Sequence, residues 1–355
     1  MKHKVSLLTG AFLAVAASGV FAQTAVTDPV GYITLPVTGG GTNSSPKLSY
    51  VGASLVNKIE VAAVSTAAGT NTTAEFAAGV LPAAGTYGVN SLGQSNYYVE
   101  IASGANAGVW TDIVSNTATS ITLLDPIGNI AHSQTLKIRK HHTIASLFGA
   151  TAATVQLKQG VSIGTADELL VVENPTANIA KSFFFSSDDA DFDGNADGWV
   201  FANGNPAADY VIAPGVGVKV SRKDTAAVNI IQVGHVKTGP TVLPVETGLN
   251  LISVPRAVGS AFTLDNGALL SSGLTGGVSV GTADELQELF SGAPLNFFYS
   301  TDDADFDGNA DGWVNSANGN PLTANQKQLP EGTGVAIKRK GAPFNWVVPA
   351  ESIAQ

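Results

Sequence analysis

The chain has no cysteine and a single methionine, Met1. It therefore holds no disulfide, no thiolate metal ligand and no cysteine nucleophile. It is no lipoprotein either, because that anchor is built on a cysteine. Cationic charge is scarce: Lys and Arg number 18 against 28 Asp and Glu, a net charge of −10. A nucleic-acid binder needs clustered Lys and Arg to neutralise phosphates, so that class is excluded. Charged residues of both signs make up only 13% of the chain, against roughly 25% in ordinary globular proteins. Disordered chains carry more charge and fewer β-branched residues, so the shortage argues for a folded chain. After the first 22 residues there is no apolar run long enough for a membrane span.

What is present starts with an export signal. Lys2 and Lys4 form a positive leader, Val5 to Val20 an apolar stretch, and Val20 and Ala22 place small residues at positions −3 and −1 before Gln23. This layout predicts a signal peptide over 1–22, cleaved before Gln23, and a secreted product at the cell surface, outside the cell or in the periplasm. Cleavage takes two of the 18 basic residues and leaves 16 against 28 acidic ones, a net charge of −12. Such a chain suits cations or a neutral surface.

Self-comparison finds a duplication. Val161-Ser-Ile-Gly-Thr-Ala-Asp-Glu-Leu169 returns as Val278-Ser-Val-Gly-Thr-Ala-Asp-Glu-Leu286, and Asp188 to Val200 returns unchanged as Asp302 to Val314. Asn203-Gly-Asn-Pro206 returns as Asn318-Gly-Asn-Pro321, and Gly215 to Lys223 as Gly332 to Lys340. The offset drifts from 117 through 114 and 115 back to 117, which places small insertions in loops. Short runs such as Val30 to Val37, Asn96 to Ile101, Ser182 to Ser186, Val216 to Arg222 and Leu249 to Val254 alternate or are β-branched and aromatic, and Gly and Pro turns separate them. Only Thr143 to Phe148 and Ala166 to Leu170 suggest a turn or two of helix. The pattern predicts an all-β fold: an N-terminal β-domain over 23–142, then two tandem copies of a β-sandwich or barrel-like module over 143–238 and 239–355.

The strongest chemical signal is Asp189-Ala-Asp-Phe-Asp-Gly-Asn-Ala-Asp197 and its twin Asp303 to Asp311. Calcium takes six to eight oxygens, and carboxylates at alternate positions with a glycine at the sharp turn supply them. The candidate ligands are Asp189, Asp191, Asp193, Asn195 and Asp197 in one loop and Asp303, Asp305, Asp307, Asn309 and Asp311 in the other, for up to two calcium ions. An EF-hand carries a bidentate Glu at position 12, where this chain has Val200 and Val314, and no helix pattern flanks either loop. The missing oxygens are sought from Asp188 and Asp302, or from Asn203 and Asn318. A polar hairpin tip is the simpler alternative, since Asp, Asn and Gly favour turns without a metal. Against it, five carboxylates within the ten residues Asp188 to Asp197 repel one another if left bare.

Other signals are weaker. Gly160-Val-Ser-Ile-Gly164 and Gly277-Val-Ser-Val-Gly281 match a nucleophile elbow, yet only His235 lies downstream of Ser162 and no His lies downstream of Ser279. Asp167-Glu168 and Asp284-Glu285 recur with the repeat, which points to turns or caps rather than a catalytic pair. His141 and His142, beside Arg139 and Lys140, read as a solvated strand end. Trp199 and Trp313 close the aspartate loops as core anchors; together with Tyr97, Tyr98 and Trp110 they are also candidate sugar-stacking platforms.

Thr27-Asp-Pro-Val-Gly-Tyr-Ile33, Tyr97-Tyr-Val-Glu-Ile101 with Gly104 and Gly108, Leu136 to Arg139, Pro214-Gly-Val-Gly-Val218 with Arg222-Lys223, and Gly248-Leu-Asn-Leu-Ile-Ser-Val-Pro255 resemble an exported, β-rich family of Gram-negative bacteria with no assigned activity. The resemblance covers nearly the whole mature chain and implies export and β-rich architecture, without an activity. The expected role is a non-enzymatic structural or cell-surface protein, a self-assembling fibre or matrix subunit stabilised by calcium. The expected partner is another copy or a surface polymer, with the strand Val26 to Val37 added to a neighbouring subunit. The alternatives are a calcium-dependent adhesin or carbohydrate-binding module, and a secreted hydrolase.

Overall fold

The computed structural model describes residues 29–66, 70–127, 134–189, 197–256, 262–290, 293–303 and 310–350. The fold is all-β. The first strands are β1 Val30–Val37, β2 Lys47–Gly52, β3 Ile59–Val64, β4 Thr73–Glu75, β5 Tyr97–Ile101, β6 Trp110–Asn116, β7 Ser120–Leu123, β8 Thr135–Lys140 and β9 His142–Thr143, followed by helix α1 Ile144–Phe148. Next come β10 Glu168–Asn174, β11 Ile179–Ser186, β12 Gly198–Phe201, β13 Val211–Ile212, β14 Gly217–Arg222 and β15 Val228–His235. The last part has β16 Thr241–Val245, β17 Gly248–Ser253, helix α2 Leu269–Ser272, β18 Glu285–Phe290, β19 Ala293–Ser300, β20 Gly312–Asn315, β21 Gly334–Arg339 and β22 Phe344–Val348. Helix α1 falls where the sequence places one, capped by a reciprocal Thr143–Ser146 pair. The suggested helical turn at Ala166 to Leu170 is not formed, because Glu168 opens β10.

The duplication appears as two five-stranded sheets of the same order, β12-β11-β10-β14-β2 and β20-β19-β18-β21-β17. Each has a two-stranded ribbon beside it, β1-β15 and β16-β22. The strands group differently from the expected N-terminal unit over 23–142. β1 and β2 complete the first repeat, and a six-stranded sheet, β3-β8-β5-β6-β7-β4, is inserted after β2. The cores explain this grouping. Leu35 and Val37 of β1 are buried with Leu169, Phe183, Val218 and Ile230. Leu243 and Val245 of β16 are buried in the same way with Leu286, Phe297, Val335 and Trp346. The inserted sheet closes over its own apolar cluster, including Val99, Ile113, Ile121 and Leu136. Strand β1, expected to add to a neighbouring subunit, is hydrogen-bonded along β15 within the chain.

The repeats meet about a pseudo-two-fold axis. The bridge Val51 to Thr333 and the bridge Val216 to Ile252 are the same contact with the repeats exchanged. So are the hydrogen bonds from Gly52 N–H to the Gly332 carbonyl, 3.1 Å, and from Ser253 N–H to the Gly215 carbonyl, 2.9 Å. Such reciprocity defines an isologous interface. Gly215 and Gly332 turn with φ of +87° and +73°. A side chain at Gly215 would strike Leu243 of the second repeat, and one at Gly332 would strike Leu35 of the first. Positive φ and close approach together require glycine at both positions.

Within each repeat a buried carboxylate joins the recurring sequence blocks. Asp167 accepts hydrogen bonds from Lys158 N–H at 2.7 Å and Lys223 N–H at 2.6 Å, and pairs with the Arg222 guanidinium. Asp284 does the same with Thr275 N–H and Lys340 N–H, both at 2.8 Å, and with Arg339 at 2.5 Å. The ammonium groups of Lys223 and Lys340 reach on to the carbonyls of Ile163 and Val280 and pin the turn ahead of each aspartate. Both aspartates are fully buried, so their charge is tolerable only because the oxygens are occupied and paired. Asp284→Ala should cost about 3–5 kcal/mol in urea unfolding by stranding Arg339 and two backbone donors. The paired Asp284→Leu, Arg339→Met variant should lose less. Equal losses would refute the pairing as the cause.

One core position departs from the repeat. Glu288 occupies the place of Val171, and both are buried. Among the described residues its Oε2 has no hydrogen-bond partner, and burial pushes its carboxyl up to about 7. A raised folded-state pKa leaves stability whole below the unfolded value near 4.5 and removes it as pH rises through 7, by about 3 kcal/mol in full. Glu288→Val should therefore raise the melting temperature more at pH 8 than at pH 5. An equal rise at both pH values would contradict this account.

Candidate functional site

The aspartate loops sit at matching hairpin tips. One joins β11 to β12, with Ser186 opposite Gly198, and the other joins β19 to β20, with Ser300 opposite Gly312. Aromatic residues at alternate positions build these hairpins. Phe183 and Phe185 face the main core of the first repeat, while Phe184 packs with Ala166 and Val200 on the other face. Phe298 repeats that outer contact with Ala283 and Val314.

At the mouth of the first loop, Asp197 N–H donates to the Asp188 carbonyl at 2.8 Å, and Asp188 N–H donates to Ser186 Oγ at 3.1 Å. Ser186 Oγ in turn donates to Asp197 Oδ2 at 3.4 Å, and Asp189 N–H donates to Asp188 Oδ1 at 3.2 Å. The second loop repeats every contact: Asp311 N–H to the Asp302 carbonyl at 2.8 Å, Asp302 N–H to Ser300 Oγ at 3.1 Å, Ser300 Oγ to Asp311 Oδ2 at 3.4 Å and Asp303 N–H to Asp302 Oδ1 at 3.1 Å. Each neck thus brings the first, second and last aspartates of its loop together. Asp191, Asp193, Asn195, Asp305, Asp307 and Asn309 lie outside the described residues. Among the described residues, no group of three His, Asp or Glu is placed to hold a metal.

Asn203 and Asn318 do not join the necks. They follow β12 and β20, at the far end of four-residue strands roughly 13 Å long. There Asn203 Oδ1 accepts Asn205 N–H at 3.2 Å, and Asn318 Oδ1 accepts Asn320 N–H at 3.0 Å. Both amides serve the turn that returns the chain to the sheet.

Most of the candidate stacking rings are enclosed. Trp199, Trp313 and Tyr98 are buried, while Tyr97 and Trp110 are half-buried. Trp199 packs edge-on against Phe148 and Phe185, with centroids 6.1 and 5.5 Å away, and its Nε1–H donates to the Gly149 carbonyl at 2.7 Å. Trp313 packs against Phe297 and Tyr299 in the same manner, but its buried Nε1–H has no partner among the described residues. The Gly-x-Ser-x-Gly segments form turns rather than a strand-to-helix elbow. Ser162 lies 3.3 Å from the Thr165 hydroxyl.

The solvated strand end expected at His141 and His142 is instead interior. These residues lie where the inserted sheet rejoins the first repeat, so both rings are covered from two sides. His141 Nε2 is 2.8 Å from Asp112 Oδ1, and His142 Nε2 donates to the Leu55 carbonyl at 3.0 Å. Burial lowers the His142 pKa to about 4. A depressed folded-state pKa means that its contribution is whole above the usual 6.5 and is lost as pH falls towards 4. Sequence reasoning also missed the buried pair between Glu100 of β5 and Lys237 of the linker between repeats; no spacing rule connects the two residues.

No family model, curated protein or solved structure matches the chain.

The two tryptophans give a direct comparison. Trp199→Phe should cost about 1 kcal/mol or more in urea unfolding, because it leaves the Gly149 carbonyl without its donor. Trp313→Phe removes an unpaired buried N–H and should be neutral or stabilising. Equal destabilisation by both would show that packing alone decides.

Proposed function

We propose that the chain is an exported structural component of the cell surface whose two aspartate loops are hairpin tips clipped by calcium. The observation that carries this reading is the strict duplication of the acidic tip. Two loops of identical sequence leave equivalent strands through necks with the same four hydrogen bonds. Each concentrates five carboxylates in ten residues, a repulsion that a divalent cation would relieve. Asp189, Asp191, Asp193, Asp197 and the Asn195 carbonyl would hold the first ion, and Asp303, Asp305, Asp307, Asp311 and the Asn309 carbonyl the second. Asp188 and Asp302 stand beside them at the necks. The ion's part is electrostatic: it neutralises the tip and ties the ends of the hairpin together.

Export rests on the leader over 1–22. Self-association draws support from the outer face of the β1-β15 ribbon, where Val30, Tyr32, Ile231 and Val233 are 59–70% exposed and share one face of two paired strands. The enclosure of Trp199 and Trp313 favours the anchoring role of these rings over a sugar platform at the loops.

Calorimetric titration of the mature chain, beginning at Gln23, tests the calcium reading. It should find two sites per chain with dissociation constants of about 10⁻⁴–10⁻³ M and a raised melting temperature. Asp191→Asn with Asp193→Asn should leave one site. Absence of heat and of any melting shift at millimolar calcium would reduce the loops to polar turns.

A further inference from the structure

The inserted sheet and the second repeat do not merely touch; between them lies an open groove of about 430 Å³. One wall comes from β6. Strand alternation turns Thr111 and Ile113 inward, where both are buried, and leaves Trp110 and Asp112 side by side on the outer face. Trp110 is half-buried and fixed. Its Nε1–H donates to the Val242 carbonyl at 3.1 Å, and its ring meets Tyr98 edge-on with centroids 5.8 Å apart. Asp112 is fixed from behind by His141, whose side chain is fully enclosed, so that Oδ1 is engaged and the carboxylate is pre-oriented. Asp125 stands exposed beyond β7, with its N–H held by Thr111 Oγ1 at 3.1 Å. The opposite wall is the β16-β22 ribbon, where Pro244 and Asn345 are cross-strand partners and both are exposed.

We propose that this groove binds a neutral saccharide unit, with Trp110 as the stacking wall and Asp112, Asp125 and Asn345 as hydrogen-bonding groups. Among the described residues no Lys, Arg or His lines the groove, so an anionic ligand would meet two carboxylates there. A wholly apolar ligand would desolvate those same carboxylates without return. A pyranose offers what the walls require: a C–H face for the indole and hydroxyls that donate to carboxylate oxygens. The Asn345 amide both donates and accepts, which matches a hydroxyl and has no use for its donors on a cation. The ligand site is built by tertiary contact, since its walls lie more than 100 residues apart in sequence. It is separate from the aspartate loops, and its occupancy does not depend on calcium.

The mature protein applied in EDTA to an array of immobilised neutral, amino and uronic-acid oligosaccharides tests this, with spermine titrated calorimetrically as a cationic probe. Neutral glycans should be retained and uronic-acid glycans rejected. Asp125→Ala and Asn345→Ala alter exposed side chains and should keep the wild-type melting temperature, yet each should weaken retention about tenfold. Trp110→Phe should weaken it while keeping a ring in place. The proposal is overturned if no neutral glycan is retained, if retention survives both alanine variants unchanged, or if spermine binds in preference to every glycan.

Discussion

Each repeat is organised around a charge that has no water. Asp167 and Asp284 are buried with both oxygens engaged: one takes the N–H of the residue after the paired arginine, and the other takes the arginine together with a backbone N–H from the incoming segment at Lys158 or Thr275. A buried carboxylate is costly unless every lone pair is used and a cation stands beside it. That condition can be met only if three separated segments converge, namely the incoming segment at Lys158 or Thr275, the turn that carries the aspartate and the end of β14 or β21. The pair therefore adds little net energy but makes alternative registers expensive, because any slip strands a charge. Two of the recurring blocks, Val161 to Leu169 and Gly215 to Lys223, carry the aspartate and its arginine.

A second constraint is the two-fold relation between repeats. Gly215 and Gly332 each admit a leucine from the other half, so the halves lock by exchanging equivalent contacts. The inserted sheet breaks this symmetry. It hangs from the first repeat through Leu55 to Lys58 and Lys140 to His142, where Asn57 donates to the Lys140 and His141 carbonyls at 3.0 Å. It reaches across to the second repeat, where Val242 N–H donates to the Gly108 carbonyl at 3.1 Å. Glu100 holds the linker Lys237 at the same junction, and burial lowers the lysine's pKa despite that carboxylate. A chain that is symmetric in sequence thus acquires one asymmetric groove.

Much of this was legible in the residues. Alternation and β-branched runs announce an all-β fold, four recurring blocks announce the duplication, and the aspartate loops are visible as units because their carboxylates lie within ten residues of one another. Leu35-Pro-Val37 and Leu243-Pro-Val245 were the trace that β1 belongs to the first repeat, but three residues are too few to read without knowing the partner strands. His141 and His142 look solvated because they stand next to Arg139 and Lys140, and a sequence does not record that two segments cross there. The sequence by itself determined the strand content, the repeat and the acidic tips, all properties of spacing within a few residues. Tertiary structure alone decided which strands close which core, that Trp199 and Trp313 are enclosed, that Asn203 and Asn318 bond within the turns after β12 and β20, and that Trp110 and Asn345 face one groove. Those outcomes depend on contacts between distant segments, whose free energy no local pattern encodes.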